Sequence, residues 1–302
     1  MKSTGKYALH QSPFWRLKSK SKLAKLFKIS APELKKFLDD ENYKTWIEPD
    51  GRAIQAPNFK LKQLHKIAKF HFARIEIPSW LISGTRGKSI VDNAEIHRES
   101  DYLLNVDITG FYKSTTSERL AQTFIYRFHM ADDLALFLAA LLTWKGIIPT
   151  GSPTSQLMAY WANCVALGKL ATMAEQRGWK FSVYVDDLSF SSEVKSLPKD
   201  LPNRIQSILD TVNLKLKPTK TKFFGKTDFK VVTGVGISKD KKLVVLNRQR
   251  KKIIEAVRLL ATQPESSAIV SNRLSLQGRI ISAQQIEANA FRSSRKTMKK
   301  YP

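Results

Sequence analysis

Residues 181–192 read FSVYVDDLSFSS, two runs in which apolar and polar residues alternate on either side of a pair of aspartates. Alternation with a period of two marks strands whose faces meet different surroundings, so the stretch is expected to fold as a hairpin with Asp186 and Asp187 at its turn. An Asp-Asp pair alone is usually no more than a solvated turn. Upstream, YLLNVD (102–107) is apolar enough for a buried strand and also ends on a carboxylate, Asp107. A sheet that sets these strands side by side gathers three carboxylates at one rim, where they repel one another and resist ionisation unless cations stand between them. Mg2+ needs few protein carboxylates beside water and phosphate, so Asp107 and Asp186 suffice as core ligands with Asp187 in support, and Mn2+ serves as a substitute. Two such ions about 3.5–4 Å apart are suited to activating a hydroxyl and neutralising a departing pyrophosphate.

Charge narrows the substrate. Of 302 residues, 51 are Lys or Arg and 26 Asp or Glu, a formal +25, and a polyanion is the partner that best relieves the resulting self-repulsion. A 42% hydrophobic fraction with 16 Phe can fill a core, which argues against a disordered tail protein. The single cysteine, Cys164, excludes an internal disulfide and a multi-cysteine zinc site. No run is long enough to span a bilayer, and the opening residues lack the apolar stretch of a signal peptide, so a soluble cytoplasmic protein without a membrane partner is expected. Neither a Gly-rich Lys-Ser/Thr phosphate loop nor a dinucleotide fingerprint occurs, which disfavours an ATP-driven motor or a dehydrogenase.

Three parts are expected, 1–98, 99–246 and 247–302, as lobes of one machine without repeats or linkers. Residues 21–29 read as a short basic helix, and Ser30 with Glu33 has the spacing of a capping box for a second. Trp46 to Phe59 reads as a hairpin with Arg52 near its tip, followed by Leu61, Leu64, Ala68, Phe72 and Ile75 near helical spacing. Residues 131–144 form a buried helix, and Ser152 is expected to cap the next, with Pro153 in its first position and Leu157, Trp161, Cys164, Gly168 and Ala171 along one seam. A helix over 202–212 follows, then FKVVTGVGI and KKLVVL as a strand and its return. Residues 213–252 hold 13 Lys or Arg against Asp228 and Asp240. The last fifty residues read as a basic helical module, broken around Pro264 and frayed after Ser294.

Around the aspartates several side chains have two readings. Tyr112 either lies under an incoming sugar, excluding a 2′-hydroxyl, or is a core aromatic beside Phe111. Gly151 and Ser152 either allow a nucleobase or template strand to approach the backbone or merely begin a helix. Lys220 and Arg52 either meet triphosphate oxygens or face water. Lys241, Lys242, Arg250, Lys251 and Lys252 read collectively as contacts to a nucleic-acid backbone. His97, beside Asn93 and Ala94, has no partner for zinc or for a hydrolase triad, leaving hydrogen bonding or RNA contact against a structural role.

The order of these motifs resembles that of reverse transcriptases, more narrowly the bacterial retron reverse transcriptases, over roughly residues 20–285. LLNVDITGFYKS resembles the family's first catalytic motif, GIIPTGSPTSQLMAYWAN its nucleotide-site motif and YVDD its catalytic hairpin. NLKLKPTKTKFF is similar to its lysine-bearing motif, and KVVTGVGI with VLNRQRKKI to its primer grip and thumb entrance. Asn93, Ala94 and His97 match the NAxxH element, and Val232, Thr233 and Gly234 the VTG triplet.

The resemblance implies an α+β right-hand polymerase fold with fingers, an RRM-like antiparallel palm sheet and a helical thumb. It implies catalysis and metal binding by Asp107, Asp186 and Asp187, a sugar gate at Tyr112, nucleotide contacts at Arg52, Gly151, Ser152 and Lys220, and RNA contacts at Asn93, His97, Thr233 and the basic residues above. It further implies deoxynucleoside triphosphates and a cognate noncoding RNA of msr-msd type that is both template and primer. Synthesis would start from a guanosine 2′-hydroxyl and yield branched multicopy single-stranded DNA, msDNA, in an antiphage system paired with an effector or toxin protein. Thr150, Ser152 and Gln156 depart from the family's usual Gln, Ala and Pro, and Thr150 lacks a glutamine's reach toward the nucleotide. The rival readings are another defence-associated or group II intron-like reverse transcriptase, and an RNA-binding scaffold that restrains a toxic effector.

Overall fold

Local signals set most of the boundaries in a computed structural model, which describes residues 5–262 and 269–292. The breaker expected around Pro264 and the frayed tail expected after Ser294 lie outside the described residues. Helix α1 (Lys20–Phe27) turns Leu23, Ala24 and Phe27 inward, and α2 (Ala31–Lys35) starts at its capping box, where Ser30 N–H donates to Glu33 Oε2 at 2.9 Å. Strands β1 (Tyr43–Ile47) and β2 (Ala53–Pro57) pair antiparallel about a turn at Gly51, whose φ of +83° suits a residue without a Cβ. Helix α3 (Phe59–Phe72) follows, its first turn capped by the Asn58 side chain. Next come α4 (Ile90–His97), β3 (Tyr102–Asp107), α5 (Ser117–Tyr126), α6 (Asp132–Leu141), α7 (Ser155–Glu175), β4 (Lys180–Tyr184), β5 (Asp187–Ser192) and α8 (Leu201–Asp210). The chain continues through β6 (Lys222–Phe224), β7 (Lys230–Val232), β8 (Val235–Ile237), β9 (Leu243–Val245), α9 (Asn247–Thr262) and α10 (Ile269–Ile286).

Two expectations need correction. Helix α7 begins at Ser155, three residues after the expected cap, because the Ser152 hydroxyl is spent in a local turn, accepting from Thr154 N–H at 3.2 Å, and against His65. FKVVTGVGI is two strands and not one: positive φ at Thr233 (+45°) and Gly234 (+84°) folds it into the β7–β8 hairpin, and β9 adds a third strand.

The central sheet has the order β4-β5-β3-β6 and is antiparallel throughout. Its alternation divides the faces cleanly. Leu104, Val106, Phe181, Val183, Leu188 and Phe190 enter the main core, alongside buried residues of α7. On the other face Asn105, Ser182, Ser189 and Ser191 lie beneath α4 and the β7–β9 sheet. The main apolar cluster runs from Phe14 to Leu214 with no break at residue 98, while a separate one, from Val245 to Ala290, joins α9 to α10. No helix among the described residues is long and apolar enough to cross a membrane.

Candidate active site

Register brings the aspartates together. Asp107 is directly opposite Asp187 across β3 and β5, and directly opposed residues project to the same face. Asp186 occupies the β4–β5 turn, its carbonyl accepting from Ile108 N–H at 2.9 Å, which binds the turn to the end of β3. That turn is strained: Val185, a β-branched residue, has φ of +60°. Its N–H donates to the buried Ser83 hydroxyl at 2.8 Å, an anchor supplied from far upstream.

The electrostatics follow from burial and crowding. Burial, then the charges of Asp186 and Asp107, push the Asp187 carboxyl up to about 6, and burial with Asp107 also raises Asp186. Lys220, at the end of a short 3-10 turn (Pro218–Lys220), places Nζ 2.5 Å from Asp107 Oδ2 and opposes both rises. The lysine stays more firmly protonated than usual because of that bond. Arg52, on the exposed hairpin tip with Asp50 3.8 Å away, also counters the rise at Asp186. Tyr112 is half-buried beside Phe111, and its hydroxyl is held above the usual range by burial and by Asp186. The charged groups at this rim are therefore Asp107, Asp186, Asp187, Lys220 and Arg52, with Tyr112 alongside.

Among the described residues no group of three or more His, Cys, Asp or Glu side chains stands arranged as a metal cage. The donor chemistry nonetheless fits a hard divalent cation: the donors are carboxylate oxygens, and the Lys220 ammonium already neutralises Asp107 as a cation would.

Other expected site residues are spent on structure. Gly151 lies against β2, where a Cβ would stand 2.8 Å from the Gln55 carbonyl oxygen. Ser152 is buried and donates to His65 Nδ1 at 2.7 Å, since the other ring nitrogen donates to the Leu141 carbonyl at 2.8 Å. An RNA contact at Asn93 and His97 has no surface to rest on, for both are fully enclosed. His97 bridges Ser191 (2.7 Å) and Ser182 (2.8 Å), stapling α4 to β5 and β4, and burial keeps it neutral by lowering its pKa to about 3. Asn93 donates to the Thr233 hydroxyl at 3.2 Å, so the two short elements singled out in the sequence meet each other. Arg250 is committed to Glu287 at 2.5 and 2.6 Å, and Lys241 to the Glu99 carbonyl at 2.7 Å. Lys251 pairs loosely with Glu255, 4.0 Å away, whereas Lys242 and Lys252 are exposed with no acidic partner among the described residues. Ser83, His65 and Gln55 were not singled out in the sequence; each acts across a long separation, and no local pattern marks them.

Residues 42–237 match the family model described as reverse transcriptase (RNA-dependent DNA polymerase). The chain is 25% identical over 206 residues to the retron Ec86 reverse transcriptase of Escherichia coli, covering 68% of this chain and 63% of that one. It is 26% identical over 211 residues to the retron Se72 reverse transcriptase of Salmonella heidelberg (strain 579083-10), covering 68% and 52%, and 25% identical over 262 residues to the retron Mx162 enzyme of Myxococcus xanthus, covering 74% and 54%. The matches thus span between about half and five-eighths of these relatives' length. Among solved structures, telomerase from Candida albicans in complex with a TWJ fragment of telomeric RNA superposes with a TM-score of 0.50 at 10% identity, over 86% of this chain and 56% of that one, a likeness of fold.

Proposed function

The chain belongs to the reverse transcriptase family, and we propose that it works as a retron-type RNA-directed DNA polymerase, with the β1–β2 lobe as fingers, the central sheet as palm and α9–α10 as thumb. The observation that carries this reading is the convergence of Asp107, Asp186 and Asp187 on one rim beside Lys220 and Arg52. Asp107 and Asp186, with Asp187 in support, would hold two divalent cations, Mg2+ or Mn2+ in its place, which lower the pKa of the attacking hydroxyl and offset charge on the pyrophosphate.

The chain's own side chains do the rest. The Tyr112 ring, beside Asp186, lies under the sugar of the incoming deoxynucleoside triphosphate and excludes a 2′-hydroxyl. Arg52 folds over the outer phosphates from the hairpin tip, and Lys220, released from Asp107, neutralises charge as the bond from the α-phosphorus to pyrophosphate breaks. The exposed Lys242 and Lys252 neutralise backbone phosphates.

The template is a cognate structured RNA of msr-msd type that also primes from a guanosine 2′-hydroxyl, and the product is msDNA. In a cytoplasmic antiphage system the resulting ribonucleoprotein holds an effector protein in check. Sequencing the nucleic acid that copurifies with wild type and Asp186→Asn tests this: DNA joined to a small RNA in wild type, and RNA alone in D186N, is the expected result. Equal DNA in both defeats the role of the carboxylates, and linear cDNA made only from added primers favours a different reverse transcriptase over a retron.

A further inference from the structure

The β1–β2 hairpin is held by apolar burial on one side only, through Ile54 and Pro57 of β2 and the Tyr43 ring. Strand β1 is exposed along nearly its whole length, with Trp46 at 47% and Ile47 at 74% accessibility. What joins β2 to the loop before α7 is polar. Thr150 N–H donates to Gln55 Oε1 at 3.3 Å and Thr150 Oγ1 donates to the Ala53 carbonyl at 3.0 Å. Gln55 N–H is directed at Thr150 Oγ1 from 3.4 Å, and Gly151 N–H donates to the Gln55 carbonyl at 3.0 Å. Because a backbone N–H can only donate, the Gln55 amide must turn its oxygen to Thr150. The side chain is itself buried, at 8% accessibility. The approach is close enough that Gly151 admits no side chain, its Cβ position being 2.8 Å from the Gln55 carbonyl oxygen and 3.0 Å from Ala56 Cα.

We propose that Gln55 and Thr150 form a latch that seats the hairpin on the nucleotide loop and so sets where Arg52, on the same arm, stands relative to the Asp186–Asp187 turn. Gln55 is thus a positioning residue for the triphosphate, acting through Arg52; this rests on the polymerase reading. A displaced hairpin weakens triphosphate capture while leaving the carboxylate rim intact, because β3 and β5 make none of the latch's bonds.

Primer extension with the full chain gives one arm of the test, using Gln55→Met, Thr150→Val, Thr150→Ser and the Q55M/T150V pair. Q55M and T150V are expected to raise KM for the triphosphate about fivefold with kcat held within about twofold, the split that marks lost binding. T150S, which keeps the hydroxyl, is expected to return KM to within about twofold of wild type, and the double variant to be no worse than the worse single one. Hydrogen exchange gives the second arm, with faster exchange at 53–56 and 149–152 in Q55M and T150V but not in β3 or β5. An unchanged KM in Q55M, multiplicative effects in the pair, or unchanged exchange overturns the latch. A wild-type chain that extends neither an added primer nor the RNA that copurifies with it overturns the polymerase reading, and exchange then decides the latch alone.

Discussion

Acid should destabilise this protein through two histidines. Burial lowers His97 to about 3 and His65 to about 4, against 6.5 for an unperturbed ring. Below pH 6.5 the unfolded chain therefore binds protons that the folded chain refuses, so stability present above 6.5 is lost as pH falls toward the folded values. Between pH 7.5 and 5 each ring removes about 2 kcal/mol, about 4 together, at 1.36 kcal/mol per pKa unit. Asp187 opposes this: with its folded carboxyl at about 6 and an ordinary value of 3.8, the fold takes up a proton first. That returns about 1 kcal/mol over the same interval, for a net loss of about 3 kcal/mol. Urea titration at pH 7.5 and 5.0 reads the difference directly. In His97→Gln an amide replaces the titrating ring beside Ser182 and Ser191, and about 2 kcal/mol of the pH dependence should vanish even if the variant is weaker at pH 7.5. A pH slope equal to wild type in H97Q would refute the reasoning.

Asp187→Asn should trade activity for stability: it removes a carboxylate held at about 6, raising unfolding free energy at pH 7.5 by about 3 kcal/mol while DNA synthesis is lost, as thermal melts and primer extension would record. Arg250→Ala breaks the Glu287 clamp between α9 and the end of α10 and should cost about 1 kcal/mol, seen as faster hydrogen exchange in both helices. Its effect on the salt dependence of RNA binding should be slight, whereas Lys242→Ala with Lys252→Ala should reduce that slope by about 1.5.

Legibility in the sequence tracked the range of the interaction. Ser30 with Glu33, and the alternation around Asp186 and Asp187, are local, and the elements they predict form where expected. Helix α4 carries little periodic signal, although Ser89 and Asp92 make a second capping box, because its run is short and half polar. The VTG turn hides inside a run that reads as a continuous strand, because the left-handed backbone at Thr233 has no apolar signature. His97 shows the limit most plainly: a histidine with no neighbours in sequence is matched by Ser182 and Ser191, more than eighty residues away, and burial converts a candidate RNA contact into a clamp. The rim carboxylates were legible because strand ends announce themselves, whereas Ser83 beneath the turn was not.

The two unlike faces of the central sheet make chain pairing self-correcting. Sliding β5 past β3 by one residue would drive Asp187 and the serines into the oily side and push Leu188 and Phe190 out beneath α4. A slip of two would keep the faces but part Asp107 from Asp187. Misthreaded molecules should therefore be those that fail to fold, so that a folded population carries few silent, misaligned copies.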